Sequence, residues 1–351
     1  MSRSCHPARA FTLVEMMISM VILTMILIVV SSIANQTSRT WQFTTSKIQE
    51  FSAAQNSFDT ITRLLSQATL NTYWDYVDAG GNTRTSANAS TFVPSAYSRQ
   101  SELRFVGDLT ANLAPNASAS RPLYAVFFQA PLGYSESGNS TGVQLKGLDK
   151  LLNSCGFFVE FNSDTAFKPS FLSSVASIKP RYRFRLMEYI EPSNTLSIYN
   201  YTSGSSTYSG YDWFANAFSG ASAPVHVLAE NIIALIILPK WSVEQDSTGA
   251  SLAPNYTYHS ADSTNTTTRN QLPPVVQVTM VALDEPSAIK LASQNGTAMP
   301  ADLFTTGQFT KAAQFSEDLQ TLESTLSQKK LNYRVFTTNV TLRASKWGNN
   351  R

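Results

Sequence analysis

Nineteen consecutive residues near the start of the chain, 16 to 34 (MMISMVILTMILIVVSSIA), contain no charge, no glycine and no proline. No other segment limits the possible folds so strongly. The apolar stretch as a whole begins at Phe11, and at a rise of about 1.5 Å per residue a helix from there to Ala34 spans roughly 36 Å, enough to cross a hydrocarbon core of about 30 Å. Basic residues precede it at Arg3 and Arg9, and none follows until Arg39. By the positive-inside rule the N-terminus then faces the cytoplasm and everything after the span lies outside.

A secretory signal also begins with a basic stretch and an apolar run, but it is cut after the run, behind small residues of the Ala-x-Ala kind. Ser31-Ser32-Ile33-Ala34 is a poor match to such a site. Glu15 separates the two readings further. It is the one acid in the apolar stretch, and a carboxylate at the edge of a bilayer costs a few kcal/mol unless it is hydrated or paired. One account makes it a functional group. The other leaves it wet among the headgroups, where it also favours the positive end of the helix.

Ala10-Phe11-Thr12-Leu13-Val14-Glu15, followed by the apolar run, resembles the processing motif of type IV prepilins and type II secretion pseudopilins. The resemblance implies a leader of residues 1 to 10, cut by prepilin peptidase between Ala10 and Phe11, and N-methylation of Phe11. It also implies that Glu15 meets the new terminal amine of a neighbouring subunit. Physically, such a pair neutralises an ammonium where the dielectric is low, and only the correct axial register satisfies both charges. Two positions depart from the family: Ala10 stands where a glycine is usual, and Ser32 where major pilins often carry a helix-bending proline. The first implies slower processing, the second a straighter helix and a minor subunit.

Beyond Ala34 the chain becomes polar but keeps a helical stripe at Trp41, Ile48, Phe51, Phe58, Ile61, Leu65 and Ala68. This predicts one long helix to about residue 70, divided into a membrane or filament part (11–34) and an amphipathic continuation (35–71). From Asn71 onward, short apolar or alternating runs separated by Gly, Pro, Ser and Asn predict a mainly β extracytoplasmic domain over 72–351. Strands are expected at 103–106, 124–129, 156–161, 181–189, within 225–238, at 275–283 and at 333–343. The wholly apolar run Ile232 to Leu238 suggests a central strand covered on both faces. Ala312, Phe315, Leu319, Leu322 and Leu326 place an amphipathic helix at about 310–330. Two polar stretches, 200–224 and 244–274, are expected to be surface insertions. The fold class is therefore α+β, pilin-like, with the long helix laid on an antiparallel sheet.

The Arg181-rich strand, the strand entry Leu272-Pro273-Pro274-Val275-Val276 and the ending Tyr333-Arg334-Val335-Phe336 together look like the larger minor members, the J-type pseudopilins and W-type minor pilins. The terminal segments are also similar to the prepilin-like Verru_Chthon cassette proteins of the C type. The partners implied are prepilin peptidase, other pilin or pseudopilin subunits and the inner-membrane assembly platform. The implied location is the bacterial inner membrane, then a filament.

Lys179, Arg181, Arg183 and Arg185 fall on one face of an expected strand. They could form a ridge for an anionic partner, or simply pair with acids on neighbouring strands. Without the two leader arginines the chain carries 24 basic and 24 acidic side chains, so bulk charge gives no reason to expect a nucleic-acid partner. Cys5 and Cys155 are the only cysteines and would lie on opposite sides of the membrane. Cys155, inside an apolar run, is expected to be buried and inert. Gly133-Tyr134-Ser135-Glu136-Ser137 lacks the last glycine of a nucleophile elbow, and no His, Cys or carboxylate cluster has metal-ligand spacing. No cofactor and no catalytic residue is assigned. The contrasting reading is a single-span anchor whose outer domain works alone as a binding protein or adhesin.

Overall fold

The computed structural model describes residues 13–113, 120–135, 150–169, 171, 180–200, 211–215, 223–248, 250–262 and 264–347. Residues 1–10, Phe11 and Lys179 lie outside them. The chain is α+β: helix α1, Leu13–Leu65, is followed by antiparallel sheets. It divides into two compact units, residues 1–50 and 51–351. In the first, only the helix is described. It crosses into the second, where its last turns form part of a core.

That core begins on one face of Phe51–Leu65. Ala54, Phe58, Ile61, Leu64 and Leu65 are buried, and Ala68 continues the stripe past the helix end. Spacings of three and four put these side chains on one side of the helix. Phe58 packs on Phe336, with ring centroids 5.7 Å apart. Trp41, expected on the same stripe, is instead exposed, and the side chain of Ile48 lies outside the described residues.

Among the described residues, the main sheet has six antiparallel strands in the order β7-β6-β5-β4-β3-β9. These are β3 (Val106–Leu109), β4 (Tyr124–Pro131), β5 (Leu152–Ser163), β6 (Tyr182–Glu191), β7 (Val225–Glu230) and β9 (Tyr258–His259). Alternation divides its residues between two cores. Val126, Phe128, Phe157, Val159, Phe184 and Leu186 join the cluster that contains α1. Ala125, Phe127, Phe158, Met187 and Tyr189 belong to the other, beneath Trp213 and Phe214. A second sheet, in the order β11-β10-β8, comprises β8 (Ile232–Lys240), β10 (Val275–Leu283) and β11 (Tyr333–Thr341). β10 pairs with β11 from Val275↔Thr341 to Leu283↔Tyr333. A separate two-stranded ribbon joins β1 (Tyr73–Val77) to β2 (Ala96–Gln100).

β7 runs almost directly into β8 through Asn231, whose φ of 64° lies in the left-handed region that Asn tolerates. Asn231 donates its N–H to the Phe184 carbonyl at 2.8 Å. The chain thus leaves one sheet and enters the other at a single corner. The apolar run of β8 is covered on both faces, but it ends the three-stranded sheet, and β10 takes the centre. An unbroken apolar run reports that both faces are buried, not that both edges are paired. β8 achieves the burial by contacting β4, β5 and β6 of the main sheet.

The polar stretches are less superficial than their composition implies. Within 200–224, the short helix Asp212–Ala215 plants Trp213 and Phe214 in the second core. Phe214 stacks on Phe127 at 4.0 Å and 5°. Gly156 makes room for this stack, because a Cβ there would lie 2.2 Å from Phe127 Cδ1. Within 244–274, Ala253, Tyr256, Tyr258 and Leu272 are buried, and β9 extends the main sheet beside β3. Few buried residues in a polar background leave no periodic trace.

The C-terminal amphipathic segment forms helix Phe315–Gln328, preceded by a 3-10 turn at Ala312–Gln314. Leu322 and Leu326 are buried beneath it. A further helix, Glu285–Asn295, follows β10. It had the usual sequence signals: the Asp284 side chain accepts the Ser287 N–H, Pro286 sits in the first turn, and Gly296 follows the last residue at φ 61°.

Candidate functional site

The N-terminal part of α1 buries nothing. From Leu13 to Ile33 its large apolar side chains expose between 51% and 77% of their surface. The span Leu13–Trp41 reaches a mean hydropathy of 2.7 with none of it buried. Its 29 residues make about 43 Å of helix, longer than a hydrocarbon core of about 30 Å. A helix apolar on every side needs lipid or other helices around it. Several of its hydroxyls bond carbonyls of the preceding turn. Thr24 donates to the Met20 and Val21 carbonyls at 3.0 and 2.9 Å, and Ser19 donates to the Glu15 carbonyl.

Glu15 is the acid in the first turn of α1, and its residue is exposed. The only other charge in the span is Arg39, about 36 Å further along the helix axis. The two charges therefore flank an uncharged stretch long enough to fill a bilayer. Ala10 and Phe11, on either side of the expected cut, lie outside the described residues.

The four cations of the expected ridge do not share a surface. Lys179 lies outside the described residues. Arg181 keeps 60% of its side chain exposed, with Nε 3.2 Å from Asp164. Arg183 and Arg185 turn inward, with side chains 4% and 1% exposed. Arg183 makes a two-pronged bond to Glu285, and Asn231 donates to the same carboxylate at 2.9 Å. Arg185 reaches Glu230 at 3.2 Å, donates to the Asn162 carbonyl at 2.7 Å and lies over the Phe167 ring at 5.5 Å. The lattice continues through Asn162 to Glu160 at 2.6 Å and from Glu160 to Arg121 at 2.8 Å.

As an exposed site for an anionic partner, the ridge is thus corrected at Arg183 and Arg185. Period two put both on the face opposite Phe184 and Leu186, but it could not reveal that acids from β7 and from the helix start at Glu285 cover that face. Burial raises the Glu285 carboxyl, and the Arg183 guanidinium and Asn231 amide outweigh it, holding the group below the usual carboxylate range. Burial likewise opposes ionisation of Asp164, yet the Arg181 backbone N–H, Lys168 and the Arg181 side chain bring it down.

Cys155 is free and buried, and burial pushes its thiol up, away from reactivity. The Ser135 hydroxyl bonds the Asn194 amide, and residues 136 and 137 lie outside the described residues. Among the described residues, no group of three or more His, Cys, Asp or Glu is placed to hold a metal ion.

A family model described as the prokaryotic N-terminal methylation motif matches residues 5–31. No curated protein and no solved structure matches the chain. The matched segment covers residues 5–10 of the expected leader, the expected cut, Glu15 and most of the apolar run. It supports a prepilin-type signal on a type IV pilin-like or pseudopilin protein that is anchored in the inner membrane by its N-terminal helix, processed by prepilin peptidase and assembled with other pilins.

Proposed function

We propose that this chain is a minor, tip-type structural subunit of a type IV pilus or type II secretion pseudopilus, cut between Ala10 and Phe11 and methylated on Phe11. Glu15 then pairs with the terminal amine of a neighbouring subunit, and the apolar helix packs among others in the filament. The observation that carries this reading is the methylation motif over residues 5–31, set on a helix whose large apolar side chains from Leu13 to Ile33 are all more than half exposed. A mere anchor needs neither the junction nor an acid in the first turn.

The minor role rests on the chain's length and on Ser32, which keeps the helix free of a proline bend. The J-type and W-type likeness, and that to the Verru_Chthon cassette proteins, draws support from the pairing of two segments. The strand entered through Leu272 to Val276 and the strand that starts at Tyr333 are antiparallel neighbours, with Val275 opposite Thr341 and Leu283 opposite Tyr333.

Intact-mass analysis of protein extracted from membranes of the native host tests the assignment. Loss of residues 1–10 with one added methyl group is expected. Retention of Met1, or a cut near Ala34, would instead favour an ordinary anchor or a secreted domain.

A further inference from the structure

A cavity of about 690 Å³ opens at the end of β8. Leu238 and Gln277, register partners on β8 and β10, form its floor. One wall is the segment 250–254, held back on β8 by the Ser251↔Lys240 bridge and by the Leu252 N–H to the Pro239 carbonyl at 2.9 Å. A second wall is 311–316, the 3-10 turn and the start of the helix Phe315–Gln328. The Ala312 N–H ties it to the Pro254 carbonyl at 2.7 Å. The cavity opens to solvent, with Ala250, Pro254, Lys311, Ala313 and Ser316 exposed around it, and its volume falls in the range of some 300–1,000 Å³ that ligand sites occupy.

The lining is apolar with one sign of charge. Leu238, Pro254, Ala312 and Phe315 supply the apolar surface, Lys240 and Lys311 the charge, and among the described residues no Asp or Glu lines the cavity. Lys240 Nζ donates to Gln277 Oε1 at 3.3 Å, which holds that ammonium at the cavity. Among the described residues neither lysine has a carboxylate within ion-pair distance. Two like charges in a concave, weakly polar setting focus a positive potential. The N-terminal end of the helix Phe315–Gln328 adds to it, since Gln314 gives no side-chain cap. The acids of that first turn do not line the cavity, and Asp318 is engaged with the Phe309 N–H at 2.8 Å.

We propose that this cavity binds an amphipathic anion: an apolar body resting on Leu238, Pro254 and Phe315, with a single carboxylate or phosphate head at Lys240 and Lys311. The charge decides the class, because a neutral apolar guest would leave two ammoniums beside it without compensation.

Full-length protein in lipid nanodiscs, titrated with octanoate and corrected against empty nanodiscs, tests the proposal by calorimetry. Saturable binding at one site is expected, with octanol at least about tenfold weaker. The double variant Lys240→Gln/Lys311→Gln should weaken octanoate by about tenfold or more while leaving the melting temperature unchanged. Ala313→Trp, which fills the space and keeps both charges, should abolish binding. Octyl phosphate is titrated in parallel: tighter binding than octanoate identifies a lipid headgroup as the natural source, weaker binding a free acid. No saturable binding above empty nanodiscs, or octanoate binding unmoved by both variants, would overturn the site. Octanol bound as tightly as octanoate would overturn the anionic class.

Discussion

Leu13 to Ile33 and Phe51 to Leu65 belong to one helix, and both carry large apolar side chains, yet they meet opposite fates. The first set is more than half exposed at every position, while in the second Phe58 keeps 5% of its surface and Ile61 and Leu65 none. The difference lies in pattern. The first run is apolar around the whole circumference, so no single face could bury it against a sheet. The second is apolar on one stripe, with Gln55, Asp59 and Arg63 interleaved, and one stripe is what a core can cover. One helix thus serves two solvents.

Removal of each part in turn breaks this comparison most severely. A chain beginning at residue 35 is expected to be a soluble monomer, because the segment that needs lipid is gone while the stripe on Phe58, Ile61 and Leu65 remains. A chain beginning at residue 72 loses that stripe, exposes the sheet beneath it and should aggregate. Size-exclusion chromatography of the two fragments reads the result. A folded, soluble 72–351 would show that the second stretch is as dispensable to the domain as the first.

Single residues sharpen the same contrast. Phe58→Ala in the 35–351 fragment should cost about 3–5 kcal/mol, the range for a truncated buried aromatic. Ile26→Ala in the full-length protein should leave the unfolding of the outer domain unchanged, since Ile26 touches no core. Urea titration followed by tryptophan fluorescence measures both. Equal losses at the two positions would mean that the exposed run also supports the domain.

How far the sequence revealed this depended on whether a residue acts through a repeating pattern or through a distant partner. The apolar run, the stripe at Phe51, Phe58, Ile61 and Leu65, and the strands at 275–283 and from Tyr333 onward are periodic, so local order exposes them. The ribbon of β1 and β2 is largely exposed, with Trp74, Tyr76 and Tyr97 open to solvent, so burial imposes no alternation on it. Trp213, Phe214 and Tyr256 are isolated anchors in polar surroundings, which periodicity cannot register. The fate of Arg183 was invisible for another reason: its partner Glu285 lies 102 residues away. At the N-terminus the match over residues 5–31 reads the same residues as the sequence motif.

The comparison extends from apolar surface to charge. Glu285 is met by Arg183 and Asn231 of its own domain. Glu285→Gln should therefore destabilise the 35–351 fragment by about 1–3 kcal/mol, less than a fully buried pair would, because the carboxylate is partly exposed. The folded-state pKa of Glu285 is lowered, so its contribution is present above the unfolded value of about 4.3 and is lost as pH falls through the folded value. The stability difference between wild type and Glu285→Gln should accordingly shrink on acidification below that range. A difference constant from neutral pH into strong acid would mean that shape, not charge, accounts for the loss.

Glu15 should have the smallest effect on the fold and the most specific effect on assembly. Glu15→Val removes a charge from an exposed first turn, so the unfolding curve of the outer domain should not move, and membrane insertion should be intact or improved. If Glu15 neutralises the amine of a neighbour, the same change leaves an ammonium unpaired in a low-dielectric contact. Such a loss is on the order of several kcal/mol, enough to remove most of a marginal association. Glu15→Asp keeps the charge but shortens its reach and should fall between the two. Crosslinking to co-expressed pilin-like subunits, with membrane fractionation as the control for insertion, separates these outcomes. Crosslinking unchanged in Glu15→Val would make Glu15 a wetted helix start. The N-terminal half of α1 would then differ from the C-terminal half only in being dissolved in lipid, with no pairing charge to set its register.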